Sequence, residues 1–338
     1  MSPIVCIFTI FNEKTNGCLY LALSINQPSF CPSTTWYPDG ITFASSSTVG
    51  VQPYGLFIDK SNTIYAANRQ WSLIRIWYEG SRNPNRTLAG GLIQPLSLFV
   101  TLSGDMYVDN GIINSRVDRW SIITNRSVPI MTIDQECYSI FVDISNTLYC
   151  SMTFNHRVAK KWLSDNRTTL TIAAGANVSG AGANMLYRPT GLFVDLNFNL
   201  YVGDCGNNRV QMFPFGQMNA VTIAGAGAPG TITLRCPNAI TFDANGYLFI
   251  GDNYNDRIIG SGPYGFRCLF GCTSLDGSGP RQLNAPRQFS FDTYGNLYVV
   301  DQFNSRIQKF VLASNSCSEY FLRKSIFLWY NDEEIVLL

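Results

Sequence analysis

The chain has very little of the chemistry on which most enzymes rely. Its 338 residues include one histidine, His156, which lies in the run Asn155-His156-Arg157. A histidine-dependent dyad or triad would have to rest on this residue alone, and no Gly-x-Ser-x-Gly motif marks a serine nucleophile. Comparable runs elsewhere in the chain carry Ser, Asn or Asp at this place. We therefore expect His156 to be a loop or strand residue without a catalytic role.

Charge is scarce and balanced. Charged residues make up 14% of the chain, 24 of them basic and 23 acidic, and they form no long run of one sign. Because binding to nucleic acid depends largely on neutralising phosphates, we expect no nucleic-acid partner.

No apolar stretch approaches the ~18–20 residues that cross a membrane, so we expect no membrane span. The apolar segment at residues 3–10 has no Lys or Arg before it and is a poor secretory signal.

Repetition is what the chain has in abundance. Runs rich in Val, Ile, Phe and Tyr flank turn pairs such as Asn245-Gly246, a pattern that predicts β-hairpins. Successive copies are about 42 to 52 residues apart, which is the range of propeller blades. An Asp before the turn can bond backbone groups two residues on, which explains its recurrence. The anchor position of the six copies falls at Asp59, Thr101, Asp143, Asp195, Asp243 and Asp292.

Two further apolar runs complete each repeat, as in Arg209-Val210 and then Val221-Thr-Ile-Ala-Gly. A four-stranded sheet cannot bury both its faces alone, so the repeats must pack around an axis. We predict an all-β fold, a six-bladed β-propeller of four-stranded blades. Residues 36–46 would supply the outer strand that the final blade (residues 287–312) lacks, and so close the ring. The predicted divisions are an N-terminal extension (1–35), the propeller (36–312) and a C-terminal tail (313–338).

The internal order of the repeats resembles the NHL repeat. That pattern is Pro-x-Gly, an apolar strand with Asp, Leu-Tyr-Val-x-Asp, then Asn-x-Arg-Val/Ile, and it is clearest at residues 189–210 and 301–310. The first two copies depart from it, with Asn68 and Asn110 where Asp is usual. Known members of the family include platforms that bind protein or RNA and an amidating lyase domain. The resemblance therefore implies the fold more strongly than any function.

The repeated polar residues are expected to be structural. Asp59, Asp143 and their counterparts could bind calcium, as in calcium-dependent propeller hydrolases, yet they recur once in nearly every blade, as a turn residue does. The repeated arginines are expected to pair with Asp204, Asp252 and Asp301. A catalytic site should depart from the repeat, and the several histidines of zinc-containing lyase propellers do not exist here. We therefore expect no enzyme, no catalytic or metal-binding residues and no cofactor.

Five bulky apolar residues are the candidates for partner binding. They precede the repeated Asn in the loop between the second and third strands, or lie near it in the first copy, and are Trp71, Ile113, Phe154, Tyr254 and Phe303. An apolar arc on one face would suit protein or glycan contact. The alternative is that these side chains pack against neighbouring blades.

Cysteines and glycosylation motifs favour an oxidising compartment. The chain has ten cysteines and four Asn-x-Ser/Thr motifs, at Asn85, Asn125, Asn166 and Asn177. Cys205 and Cys236 should lie in loops on the same face, and Cys31 and Cys317 flank the propeller, so both pairs are disulfide candidates. The alternative is buried reduced thiols. Cys268 and Cys272 could form half of a zinc site, but no second pair accompanies them.

Three functions follow from these observations. The first is a non-enzymatic, extracellular and monomeric NHL propeller that binds protein or glycan through its loop face. The second is an intracellular scaffold resembling the propeller of NHL-type ubiquitin ligases, although no zinc-binding RING or coiled-coil segment precedes the repeats. The third is a metal-dependent hydrolase with calcium at the channel mouth.

Overall fold

The computed structural model describes residues 23–165, 170–273 and 275–317. Before the first blade come β1 (Thr35–Trp36), β2 (Ile41–Ala44) and the one-turn helix α1 (Ser46–Val49). Blade one is β3 (Gly55–Ile58), β4 (Ile64–Asn68), β5 (Leu73–Trp77) and β6 (Arg86–Leu88). Blade two is β7 (Leu98–Val100), β8 (Met106–Asp109), the helical turn α2 (Gly111–Asn114), β9 (Arg116–Ser121) and β10 (Arg126–Thr132). Blade three is β11 (Cys137–Val142), β12 (Thr147–Met152), β13 (Arg157–Trp162) and β14 (Thr171–Gly175).

The remaining blades follow the same order. Blade four is β15 (Pro189–Val194), β16 (Leu200–Asp204), β17 (Arg209–Phe213) and β18 (Val221–Gly225). Blade five is β19 (Pro237–Phe242), β20 (Leu248–Asp252), β21 (Arg257–Gly262) and β22 (Gly265–Phe270). Blade six is β23 (Pro286–Phe291), β24 (Leu297–Asp301), β25 (Arg306–Phe310) and, as its outer strand, β2. The last strand, β26 (Leu312–Ser314), pairs with β1.

The prediction of a closed six-bladed propeller is confirmed. The innermost strands β3, β7, β11, β15, β19 and β23 contact one another around the ring. β2 pairs antiparallel with β25, Ile41 opposite Lys309, so a strand from before the first blade completes the last one. This arrangement leaves no sheet open at the junction of blades six and one.

Phenylalanines on the inner strands form much of the core. Ring centroids lie 5.0 Å apart for Phe57–Phe99 and for Phe99–Phe141, and 5.4 Å apart for Phe141–Phe193. Each contact joins two successive blades, so the aromatic residue repeated in the hairpin packs between sheets. Tilted rings at this spacing add to the stabilisation from burial.

The turn aspartates bond the backbone and a tyrosine of their own hairpins. Asp59 Oδ1 accepts hydrogen bonds from the backbone N–H of Ser61 at 2.8 Å and of Thr63 at 2.9 Å, and its other oxygen accepts the Tyr65 hydroxyl at 3.0 Å. Asp143 makes the same set with Ser145, Thr147 and Tyr149. These turns join the first and second strands at one end of every blade, which we call the hairpin face.

The opposite end, the loop face, carries the loops between second and third strands and the connectors between blades. There the buried carboxylates pair with the repeated arginines, at 2.7 Å for Asp204–Arg209, 2.9 Å for Asp252–Arg257 and 2.7 Å for Asp301–Arg306. Each of these aspartates also accepts a backbone N–H from the connector before its own blade. The pairs therefore tie loop to connector.

Four disulfides cross-link the described residues: Cys31–Cys317, Cys137–Cys150, Cys205–Cys236 and Cys268–Cys272. The first joins the segments on either side of the β1–β26 pair, and the third joins a loop to the following connector on the loop face. The pair Cys268 and Cys272, considered above as half of a zinc site, is a disulfide within blade five.

Residues 23–27 lie across the channel on the hairpin face. The buried Asn26 donates from Nδ2 to the carbonyl oxygens of Asp59 at 2.9 Å and Phe291 at 3.0 Å, and Gln27 donates to that of Phe242 at 3.0 Å. These carbonyls belong to blades one, six and five. Ile25 and Asn26 also line a cavity inside the ring of inner strands.

Candidate binding site at the channel mouth

Four blades bring Tyr54, Tyr138, Asn238 and Arg287 together around one cavity at the loop face. Each of these residues directly follows the Pro or Cys at the start of the inner strand. Unlike the turn Asp or the paired Arg, this position varies among the blades, with five residue types in six copies: Tyr54, Leu96, Tyr138, Thr190, Asn238 and Arg287. A position that departs from an otherwise strict repeat is where a binding site is expected.

The next position on these strands is small in most blades because the strands approach one another closely. A Cβ on Gly55 would lie 2.9 Å from the carbonyl oxygen of Leu96, and one on Gly191 would lie 2.7 Å from that of Asn238. The narrow packing holds the backbone around the mouth in place and fixes where the preceding side chains project.

Arg287 occupies the centre of the mouth. Its guanidinium carbon lies 3.9 Å from the centroid of the Tyr54 ring and 3.7 Å from that of Tyr138, so the group is sandwiched between two aromatic faces. Nη1 donates to the Tyr138 hydroxyl. Burial lowers the pKa of Arg287, while the two tyrosines act in the opposite direction. Arg287 is 8% exposed, and its Nη2 has no hydrogen-bond partner among the described residues.

Asn238 presents a second unsatisfied group to the same space. The residue is 4% exposed, and within the described part of the chain its Oδ1 has no partner. A cavity of about 40 Å³ lies between Asn238, Arg287, Gly191 and the two tyrosines. Buried polar atoms without partners are rare in proteins and need an explanation, such as a bound ligand or water.

An ion pair borders the mouth. Arg69 Nη2 lies 3.1 Å from the Glu136 carboxylate, and the Arg69 guanidinium carbon lies 5.8 Å from the Tyr54 ring centroid. Glu136 is almost fully buried, whereas about a third of the Arg69 side chain is exposed. Paired in this way, Glu136 is already neutralised and leaves the charge of Arg287 uncompensated.

In blade two, Asn110 takes the place that Asp204 has in blade four, and Arg116 pairs with Asp118 at 2.8 Å. Asp109, one position earlier in its strand, accepts backbone N–H groups from Cys137 at 2.8 Å and Gly111 at 3.2 Å. Burial raises the pKa of Asp109 to about 7, with a smaller contribution from the charge of Glu136. This carboxyl group therefore titrates near neutral pH.

The five partner-binding candidates all project into solvent from the loop face. Their exposed fractions are 41% for Trp71, 68% for Ile113, 54% for Phe154, 54% for Tyr254 and 59% for Phe303. The guanidinium carbons of Arg188 and Arg235 lie 5.7 and 5.8 Å from the rings of Phe154 and Tyr254. We call these five side chains the apolar ring; they come from blades one, two, three, five and six.

His156 has a structural contact. Its Nδ1 accepts the backbone N–H of Arg188 at 3.2 Å, and its ring centroid lies 5.5 Å from that of Tyr187. The residue therefore ties its loop to the next connector. Residues 23–165, 170–273 and 275–317 contain no group of three or more His, Cys, Asp or Glu side chains placed to hold a metal ion. A zinc site built from histidines does not fit these residues.

The remaining sequence-based candidates lie apart from the mouth. Asn85 and Asn125 are exposed in hairpins between third and fourth strands, and Asn177 is exposed in a connector, while Asn166 lies outside the described residues. Cys6 and Cys18 also lie outside them. None of the helices in the described part of the chain has the length and hydropathy to cross a membrane.

Sequence reasoning missed the residues at the mouth itself. Arg287, Asn238, Tyr54 and Tyr138 belong to four different blades, and no local motif marks them. A signal was nevertheless present, since aligning the six repeats shows the second inner-strand position to be the most varied of an otherwise regular strand.

Comparison with known proteins identifies enzymes with related sequence or fold. No protein-family model matches the chain. Peptidyl-alpha-hydroxyglycine alpha-amidating lyase 2 of Drosophila melanogaster is 36% identical over 94 residues, which cover 27% of this chain and 23% of the lyase. A gluconolactonase from Xanthomonas campestris shares the fold with a TM-score of 0.58 at 12% identity, over 86% of this chain and 99% of that one. A streptogramin B lyase gives a TM-score of 0.56 at 11% identity, over 84% and 100%.

The expectation that this chain is not an enzyme is wrong in the light of these comparisons, because the proteins that it resembles are lyases and a lactonase. The expectation rested on the single histidine and on the repeated residues, whereas Arg287 and Asn238 occupy a position that is not repeated. The structural likeness establishes a propeller fold, and the sequence match to the lyase spans about a quarter of either chain.

Proposed function

We propose that this chain is an NHL-type propeller that binds a protein partner through its loop face, with the apolar ring as the contact surface. The observation that carries the proposal is that all five members of the ring are exposed, at 41–68%, on one face. Large apolar side chains stay exposed at equivalent positions of several blades only at an energetic cost. Burial against a partner would recover that cost.

The chemistry of the ring suits protein more than glycan. Phe154 and Tyr254 each lie beside an arginine, Arg188 and Arg235, and aromatic residues with Arg are enriched at the centres of protein interfaces. Two or three such anchors commonly dominate binding, each costing about 2 kcal/mol or more when truncated.

The test compares two variants, each with three exposed apolar side chains replaced by serine. Phe154→Ser, Tyr254→Ser and Phe303→Ser remove part of the apolar ring. Ile123→Ser, Phe215→Ser and Tyr264→Ser remove side chains that are more exposed, at 89%, 68% and 94%, from hairpins on the hairpin face. Partners are identified by cross-linking to the wild type in its native fluid, and binding of each recombinant partner is then measured directly. A partner that binds the control but not the ring variant supports the proposal. Equal binding to both variants would overturn it.

An extracellular location is part of the proposal. Four disulfides and the exposed motif asparagines Asn85, Asn125 and Asn177 support it. Intact mass before and after deglycosylation, with a non-reducing peptide map, tests it on protein from native cells. A bare chain with free thiols would instead favour the intracellular scaffold.

Catalysis at the channel mouth is a second candidate. It is favoured by unsatisfied buried groups on Arg287 and Asn238, which line the same cavity. Assays with a lactone, a streptogramin B and a peptidyl-alpha-hydroxyglycine cover the reactions of the enzymes named above. Turnover that Arg287→Gln abolishes and Arg82→Gln preserves would establish it, since Arg82 is exposed in a hairpin on the opposite face. No turnover with any of the three would reject these reactions.

A further inference from the structure

We propose that the pocket at the channel mouth binds the carboxylate group of a ligand, with Arg287 Nη2 and the carboxamide of Asn238 as its hydrogen-bonding groups. The inference goes beyond the proposed function, because a carboxylate can occupy this pocket with no partner on the apolar ring.

The charge of Arg287 favours an anionic ligand. Arg287 is 8% exposed and none of the described residues forms an ion pair with it. A buried cation without a counter-charge is costly. Glu136 is neutralised by Arg69 at 3.1 Å, and Asp109 accepts backbone N–H groups instead. One positive charge at the mouth is therefore left for an anion from outside.

The accessible edge of the Arg287 guanidinium favours a planar ligand. Tyr54 and Tyr138 cover the two faces of the guanidinium at 3.9 and 3.7 Å, and Nη1 donates to the Tyr138 hydroxyl. The unpaired Nη2 therefore binds only a group that lies in the guanidinium plane. A carboxylate is planar and accepts hydrogen bonds in its own plane, which matches this edge.

The volume of the pocket fits a carboxylate. The cavity of about 40 Å³ exceeds the ~10–15 Å³ that one water needs, and it holds a carboxylate or two to three waters. The Asn238 carboxamide, 4% exposed with Oδ1 unpaired, lines its other side. Because its oxygen and nitrogen ends exchange by a half-turn of the side chain, it can donate to an anion from Nδ2. A doubly charged phosphate would meet only one uncompensated positive charge here.

The carboxylate has two sources, a small free acid or an acidic side chain of a partner, and three probes distinguish them. Acetate represents the free acid. The blocked peptide N-acetyl-Ala-Asp-Ala-amide represents the side chain, and its Asn counterpart is the matched control without a carboxylate. Binding is followed by calorimetry at constant ionic strength, with chloride replacing acetate in the reference.

We expect saturable binding of acetate or of the Asp peptide and none of the Asn peptide. Arg287→Gln should weaken binding about tenfold or more, as expected for loss of a charge-assisted hydrogen bond. Arg287→Lys, which keeps the charge but loses the planar edge, should also weaken it. Asn238→Asp, which adds a negative charge, should abolish it. Arg82→Gln removes an exposed cation from the hairpin face and should bind like the wild type.

Asn238→Asp keeps the test decisive if Arg287→Gln does not fold, because it leaves the sandwiched guanidinium in place. The variant Phe154→Ser, Tyr254→Ser, Phe303→Ser should bind the probes normally, so loss of partner binding and loss of the carboxylate site are distinguishable. No saturable binding of either probe to the wild type, which would leave water as the occupant, would overturn the proposal. Binding unchanged in Asn238→Asp would overturn it equally.

Discussion

Asp109 accepts the backbone N–H of Cys137 at 2.8 Å, and this contact ties the second blade to the innermost strand of the third. In blade four, Asp204 lies one position later in its strand, where blade two has Asn110, and holds an arginine at 2.7 Å. The second blade thus carries a fully buried carboxyl group whose neighbours are backbone N–H groups and the nearby Glu136.

The stability of the protein should depend on pH through Asp109. Burial raises the pKa of Asp109 from 3.8 to about 7 in the folded chain, so the folded state retains a proton that the unfolded state releases. The stabilising contribution is complete below about pH 4 and is lost as pH rises towards 7, with a slope of at most about 1.4 kcal/mol per pH unit.

Denaturant unfolding of the wild type and Asp109→Asn between pH 4 and 8 measures this contribution. The difference between the two free energies of unfolding should change in favour of the variant as pH rises to 7 and be constant above it. Other titrating groups, such as Asp243, cancel in the difference. A difference that is flat over the whole range would contradict the assignment.

The buried Asp204–Arg209 pair should be much more important for stability than an exposed pair. Arg209→Met leaves the fully buried Asp204 carboxylate without its cation, at a cost of about 3–5 kcal/mol. Arg281→Met breaks the Arg281–Asp39 pair, whose side chains are 62% and 55% exposed, and should reduce stability far less, because solvent screens exposed charges.

The double variant Asp204→Asn, Arg209→Met checks the reason for this cost. It removes the unpaired charge and should regain part of the stability lost by Arg209→Met. Guanidinium denaturation gives all these free energies, and a double variant less stable than Arg209→Met would refute the explanation.

Gly191 should not tolerate a methyl group. In Gly191→Ala the new Cβ would lie 2.7 Å from the carbonyl oxygen of Asn238, so β15 and β19 must separate, at a cost of about 1–3 kcal/mol. Gly262→Ala is the control, because its nearest heavy atom is 4.0 Å away. Thermal unfolding of both variants decides, and equal melting temperatures would show that the inner strands are not tightly packed.

The four disulfides should differ in their effect according to the chain length that they close. Sequence separations are 286 for Cys31–Cys317, 31 for Cys205–Cys236 and 4 for Cys268–Cys272. Loop entropy predicts losses of about 6, 4 and 2 kcal/mol when each pair is replaced by serine. Unfolding in urea measures the order, and a Cys268/Cys272 variant less stable than the Cys31/Cys317 variant would contradict it.

The fold could be predicted because each blade repeats the same short-range sequence pattern. The turn at Asp59 and the pair Asp204–Arg209 depend on residues four to five positions apart, so their pattern is visible in the sequence. The site could not be predicted in the same way. Arg287 meets Tyr138 across the channel, 149 residues away, and only the closed ring brings blades three and six face to face.

Residues 23–27, which are hydrogen-bonded through Asn26 to blades one and six, should affect the kinetics of ligand binding at Arg287. Because this segment lies across the hairpin-face end of the channel, a ligand reaches the pocket at Arg287 from the loop face. A partner bound to the apolar ring would cover the entrance to the pocket. Small carboxylates would then have to arrive first, and their residence time would be set by how long the partner stays.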